Sequence, residues 1–229
     1  MSRIGLAALL FGCMIWAQSQ AATADSPALA VGNTARADQL QIQIRQALEQ
    51  LRLDDADALG EQLRELAAAE QQPLWLATAD YYAGVAARRG GQTERALAYF
   101  ESSLKLRQQH DDKPGQVASL NALATLHRRA GSLYQALDEH TRALQLAREV
   151  GVAEGIAGSL AKIGRIYAEL DDLNPSADYY RQALDALDPD EVIERADILC
   201  DLGGIYVLQG KLEDAVAAVD QAVQLAEDS

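Results

Sequence analysis

Pairs of small residues recur through this chain at a fixed spacing, and that spacing restricts the folds open to it. The two members of each pair lie 12 positions apart, and successive pairs begin 40, 40 and 39 positions apart. The pairs are Gly84 and Ala96, Ala124 and Ala136, Gly164 and Ser176, and Gly203 and Ala215. A small residue on one helix lets the next helix pack closely, so the register predicts a stack of two-helix units.

Residues with ring side chains lie near each pair in the sequence, and a glycine lies between the two small residues of most pairs. The rings are Phe100, His127, His140, Tyr167, Tyr180 and Tyr206, and the glycines are Gly91, Gly131 and Gly210. This order resembles the tetratricopeptide repeat (TPR), in a variant with a period of about 40 residues like that of MalT-like TPR regions. HEAT and armadillo repeats have a similar period but do not account for the order.

The resemblance covers about residues 78–227. It implies an all-α fold, a right-handed superhelical TPR solenoid of antiparallel helix pairs. The first helix of each pair, helix A, would line a concave groove, and the second, helix B, would lie behind it.

Residues 1–24 carry the features of an export signal. Arg3 precedes an apolar run over residues 4–17, and the small residues at 22–24 suit cleavage at their end. The run is shorter than the roughly 20 residues that a membrane-spanning helix needs. We therefore predict an exported protein, periplasmic or secreted if bacterial, with no stable membrane span after cleavage. An uncleaved anchor and a lipid on Cys13, in the sequence LFGC, are open alternatives.

The rest of the chain divides into three parts. Residues 25–35 are small and polar and predict a flexible lead-in. Residues 36–72 contain two amphipathic segments without the glycine and ring positions, which indicates a degenerate first repeat or an N-terminal cap. Residues 73–229 form the TPR array of four repeats.

No motif in the chain predicts catalysis or a cofactor. The histidines at 110, 127 and 140 lack metal-ligand spacing, and two of them occupy ring positions. There is no Gly-rich phosphate loop, nucleophile elbow or HExxH sequence. Cys200 is the only cysteine after the signal, so no disulfide can form within the mature chain, and we expect it to be a packing residue. We predict a protein that is not an enzyme and holds no cofactor or metal.

Acidic residues are concentrated near the C-terminus. The net charge is −14, and residues 185–229 contain 12 acidic side chains against two basic ones, whereas residues 80–184 contain 13 of each. An acidic excess repels phosphate, and aromatic side chains that could stack on bases are few. We therefore predict no nucleic-acid partner.

In TPR proteins the groove is lined by positions before and after the small residue of helix A. Carried over by register, the resemblance implies a groove lined by Tyr81, Arg88, Arg89, Asn121, Thr125, Arg128, Arg129, Lys162 and Arg165. Six of these nine are cationic, while Asp197 and Asp201 hold similar places in the last repeat, so the groove is expected to change from basic to acidic along its length. Asn121 matches the asparagine with which related repeats hold a peptide backbone. Alternatively, the paired arginines are solvated last-turn cations favoured by the helix dipole.

These features predict an exported TPR scaffold or adaptor that binds a protein or peptide in its concave groove. Arginine pairs with carboxylates through two parallel hydrogen bonds, so an acidic partner is favoured. The alternative is a sensory or ligand-binding TPR ectodomain of a bacterial signalling protein, of the cyclase or histidine kinase type. The sequence leaves the oligomeric state and the identity of the partner open.

Overall fold

The computed structural model of the chain describes residues 27–151 and 153–227, and every regular element in these ranges is an α-helix. The helices are α1 Pro27–Glu49, α2 Leu53–Ala69, α3 Pro73–Arg89, α4 Thr93–Gln109, α5 Lys113–Arg129, α6 Leu133–Val150, α7 Ala153–Glu169, α8 Leu173–Ala186, α9 Val192–Leu208 and α10 Leu212–Glu227. Each helix packs on the one before it and the one after it. Because the connections are short, neighbours run antiparallel, and the fold is an all-α repeat solenoid as predicted.

The A helices are α3, α5, α7 and α9, and the B helices are α4, α6, α8 and α10. The hairpin of α1 and α2 packs on α3 ahead of this array. None of the helices in the described ranges is long and apolar enough to cross a membrane. The predicted export signal lies outside the described residues.

The predicted flexible lead-in is wrong from residue 27 onward. Helix α1 begins at Pro27 and continues through the region that was expected to be irregular. Proline is well suited to a first helical turn and alanine is the best helix former, so both favour the helix that the weak helix formers Gly32 and Asn33 oppose. Asn33 also ties this end of α1 to the C-terminal end of α2, because its Nδ2 donates to Glu70 Oε1 at 2.8 Å.

A recurring left-handed turn joins the helices. Residues with positive φ follow one another every 20 positions from Leu51 to Asp171, and Gly210 continues the series in the last repeat. Glycine holds four of these eight places, at 91, 131, 151 and 210, where a left-handed backbone costs it little. The same turn therefore connects A to B and, except between α8 and α9, B to A, and this repetition keeps the stack regular.

The small residues of the pairs lie where the two helices of a repeat approach closely. A Cβ added to Gly84 would lie 2.7 Å from the ring of Phe100, which is fully buried. In the third repeat Ser176 Oγ donates to the carbonyl oxygen of Gly164 at 2.8 Å, so the pair is joined as well as packed. The predicted reason for the spacing of 12 positions is thus present in the helix contacts.

Two adjacent glycines in α9 allow this packing to be tested within one helix. An added Cβ at Gly203 would lie 3.1 Å from Val219 Cγ2 and 3.4 Å from the oxygen of Ala215, whereas one at Gly204 would meet nothing within 4 Å. We expect Gly203→Ala to lower the free energy of unfolding by about 1–2 kcal/mol through overpacking. Gly204→Ala should raise it by about 0.5–1 kcal/mol because alanine loses less entropy in a helix. Urea unfolding of both variants checks this, and shifts of the same sign would contradict the packing described.

The last pair presents an apolar outer face. Val216 on α10 is 60% exposed, although its counterpart one repeat earlier, Ala177, is covered by α9. The other exposed members of this face are Val207, Leu208, Leu212, Val219 and Val223. Nothing within the described ranges covers them.

Candidate functional site

The A helices α7 and α9 enclose a cleft with a volume of about 370 Å³. Its floor is apolar and is formed by Ala157, Ala161, Leu187 and Ile198. Its walls are charged, with Lys162 and Arg165 on α7 facing Glu194, Asp197 and Asp201 on α9. The predicted change from basic to acidic therefore takes place across this cleft.

One ion pair crosses the cleft. Arg165 Nη2 donates to Asp201 Oδ2 at 2.7 Å, and this hydrogen bond is the main cause that raises the pKa of Arg165. Behind it, burial and then the charge of Asp201 raise the pKa of Tyr180 to about 12. Both members of the pair are partly exposed, so the contact orients α7 and α9 more than it stabilises them.

Three other charged groups of the cleft are unpaired. Within the described ranges, Lys162, Glu194 and Asp197 make no hydrogen bond or ion pair through their side chains. The Lys162 ammonium lies back over its own helix, 3.6 Å from where a Cβ of Gly158 would be. Partial desolvation by the cleft walls, and then the positive charge of Arg165, lower the pKa of Lys162. These groups are free to contact a ligand.

Asn121, predicted to hold a peptide backbone, is engaged inside the protein. Its Oδ1 lies 2.7 Å from Nδ1 of His140, and its Nδ2 donates to Ser159 Oγ at 3.4 Å. His140 is 1% exposed, and burial, followed by the charges of Lys162 and Arg128, lowers its pKa to about 3. The imidazole is therefore neutral, and its Nδ1–H donates to Asn121. This network joins α5, α6 and α7 directly behind the groove.

Other predicted groove residues also have partners in the chain. Arg128 forms an ion pair with Glu169 on the next A helix, and Arg89 donates to the carbonyl oxygen of Leu48 at the end of α1. Thr125 Oγ1 donates to the carbonyl oxygen of Asn121 at 2.8 Å.

Tyr81 packs against helix B of its own repeat. Its ring centroid lies 5.6 Å from that of Phe100, and the guanidinium of Arg107 lies 5.3 Å from the ring centroid. Of the nine predicted residues, Tyr81, Arg88, Arg129 and Lys162 have no hydrogen bond or ion pair in the described part of the chain, and the last three are cations.

Sequence reasoning missed part of the cleft and misjudged one side chain. Glu194 was not selected, although it lies three and seven positions before Asp197 and Asp201 and therefore shares their helix face. That spacing was the available signal.

Cys200, expected to be a packing residue, is exposed on α9 because it lies on the side of the helix away from α10 and α8. No cluster of three metal-ligating side chains occurs in the described ranges.

Comparison with known proteins agrees with this architecture. Sequence profiles of the tetratricopeptide repeat match residues 115–188 and residues 196–229. The curated 43 kDa receptor-associated protein of the synapse from Tetronarce californica is 30% identical over 87 residues, which make up 38% of this chain and 21% of that protein. The match thus spans about a fifth of that relative's length.

Solved structures resemble most of the chain. BtubC (BKLC) from P. vanneervenii has a TM-score of 0.67 and 16% identity, covering 84% of this chain and 91% of its own. A Rap protein complexed with competence and sporulation factor has a TM-score of 0.72 and 18% identity, covering 84% of this chain and 54% of its own. At such identities the likeness shows the fold alone.

The stacked pairs, their small-residue contacts and the solved structures of the same shape define the class as an all-α repeat solenoid. Both profile matches lie within this array, and both identify its repeats as tetratricopeptide repeats. The chain is a tetratricopeptide repeat protein.

Proposed function

We propose that this chain is an exported scaffold or adaptor that binds a segment of another protein in its concave groove, without chemistry of its own. The observation that carries the proposal is the α7–α9 cleft, where unpaired Lys162, Glu194 and Asp197 surround an apolar floor. A peptide offers apolar side chains, charges of both signs and backbone hydrogen-bonding groups, so it complements such a surface. The solved Rap protein of this fold is complexed with a factor, and the curated relative is receptor-associated, which supports a binding role.

The partner's charge follows from what the groove leaves unpaired. Among the described residues of the cleft, one unpaired cation, Lys162, lies beside two unpaired acids, Glu194 and Asp197, so a segment with a carboxylate next to a basic group fits best. The sequence favoured an acidic partner because the groove was expected to be rich in arginine. Arg128 and Arg165 already pair with acidic residues of the chain, so the cleft itself favours a partner segment with charges of both signs.

Affinity capture from an envelope extract tests the role of the cleft. We expect the full chain to retain a partner and Lys162→Glu to weaken its retention by at least about 10-fold, equivalent to about 1.4 kcal/mol. The matched control is Lys105→Glu on helix B α4, which makes the same charge change at an exposed position outside the groove. Equal retention by all three proteins would place the binding surface elsewhere.

A second candidate is a small-molecule sensor, as in the alternative of a signalling ectodomain. The cleft volume of about 370 Å³ lies within the range of about 300–1,000 Å³ that is typical of small-molecule sites. The unpaired charges suit a zwitterion such as an amino acid. Calorimetry with a panel of free amino acids separates the two candidates, because an adaptor should bind them weakly or not at all.

The exported location is part of the same proposal and rests on the charge and apolar pattern of residues 1–24. Mass spectrometry of the protein recovered from cell fractions tests it. An N-terminus at Asp25 in the exported fraction would support the proposal, and an intact Met1 in the cytosol would contradict it.

A further inference from the structure

The C-terminal ends of adjacent A helices present equivalent positions to each other, and at one junction both of these positions hold arginine. At the α5–α7 junction, Arg128, four positions after Ala124, pairs with Glu169, five positions after Gly164. At the α3–α5 junction the same two positions are Arg88, four after Gly84, and Arg129, five after Ala124. The position that holds Glu169 at the α5–α7 junction thus holds a second cation, Arg129, at the α3–α5 junction.

Arg88 is partly enclosed at this junction. Its Nε is inaccessible to solvent and has no hydrogen-bond acceptor in the described ranges. Burial is the largest cause that lowers the pKa of Arg88; Tyr81 raises it, and the positive charges of Arg129 and Arg89 lower it further. The carbonyl oxygen of Leu48 satisfies Arg89, but nothing in the described residues does the same for Arg88 or Arg129.

Arg129 is exposed, but a solvated last-turn cation does not account for Arg88. Such a cation keeps its donors in water or on the last carbonyl groups of its helix. Arg88 does neither with Nε, and a buried donor without an acceptor costs free energy, as do two like charges held together. An oxyanion placed between the two guanidinium groups would remove both costs, and carboxylates pair with guanidinium in two-pronged fashion.

We propose that Arg88 and Arg129 form a seat for a carboxylate of the bound protein segment, two junctions along the A-helix surface from the α7–α9 cleft. The proposal rests on groove binding as the function and names the chemistry of one contact. Arg128 is not part of the proposed seat, because its charge is already neutralised by Glu169.

Fluorescence anisotropy with a dye-labelled, amidated hexaglutamate peptide tests the seat in the full chain. We expect the native protein to bind it, and Arg88→Gln and Arg129→Gln each to weaken binding by 10-fold or more, a loss of about 1.4 kcal/mol. The matched control is Arg128→Gln, which removes a neighbouring but paired cation and should change the affinity less than about threefold, or roughly 0.6 kcal/mol. A hexaglutamine peptide should not bind.

Three results would overturn the proposal: no binding of hexaglutamate, an Arg128→Gln effect as large as that of Arg129→Gln, or displacement of the peptide by inorganic phosphate but not by glutarate. The last outcome would assign the seat to phosphate. The peptide is synthetic, so this experiment does not depend on a cellular partner. Failure to capture such a partner would count against the proposed function but would not change the measured binding of hexaglutamate.

A ligand-free measurement gives a second check. In low-salt buffer Arg88→Met should raise the melting temperature, because it removes one of two like charges and the unsatisfied donor. Arg128→Met should lower it, because Glu169 is left without its partner. A fall in melting temperature for Arg88→Met would mean that Arg88 already has a stabilising role in the free protein, against the proposed seat.

Discussion

Replacing Phe100 by alanine is expected to lower the free energy of unfolding by about 3–5 kcal/mol. Phe100 is fully buried on α4, where its ring lies over Gly84 and beside Tyr81. Glycine cannot grow into the vacated space, and its backbone already approaches α4 closely, so the cavity should close poorly. Urea unfolding monitored by circular dichroism measures the loss.

Tyr134→Ala serves as the control for this prediction. Tyr134 lies on α6, also a B helix, but is 77% exposed, so its truncation should change stability by no more than about 0.5 kcal/mol. Equal effects of the two truncations would contradict the assignment of Phe100 to the contact that the small-residue register creates.

A strong dependence of stability on pH is expected from His140. Its pKa is about 3 in the folded protein, below the value of about 6.5 in an unfolded chain. Between these values the unfolded chain binds a proton that the folded chain does not, so acid favours unfolding. The contribution is fully present above about pH 6.5 and decreases as pH falls towards 3, reaching a loss of about 3 kcal/mol by pH 4.

The measurement compares the native protein with His140→Gln from pH 7 to pH 4. Glutamine retains a donor for Asn121 but does not titrate, and carboxylates elsewhere affect both proteins alike. We expect the native protein to lose stability relative to the variant by about 3 kcal/mol over this range. A difference that stays constant with pH would show that His140 is not buried as a neutral ring.

The repeat register could be predicted from sequence because its cause is local and steric. Gly164 and Ser176 must be small for their two helices to approach each other. The same requirement holds in every repeat, so the small residues recur at equivalent positions of the sequence. The extension of α1 to Pro27 was not predictable in the same way. Gly32 and Asn33 are weak helix formers, and their helix depends on a contact with Glu70 that is distant in sequence.

The candidate site could be predicted only in part, because a register assigns a residue to a helix face but does not identify its neighbours. Arg128 and Arg129 are adjacent and chemically identical, yet Arg128 pairs with Glu169, whereas the charge of Arg129 acts on Arg88. These contacts join residues about 40 positions apart, so they depend on how the repeats stack. The same limit applies to Asn121, which lies on the expected face but bonds to His140 and Ser159 behind it.

The central claim is that the concave surface between A helices holds the partner, and site-specific photo-crosslinking tests it most directly. A photoreactive amino acid would replace Glu194, in the wall of the α7–α9 cleft, or Tyr134, on the outer face of α6. The account predicts a crosslinked partner from position 194 and none from position 134, with the adduct lost when Lys162→Glu is added. An adduct from position 134 with none from position 194 would contradict it.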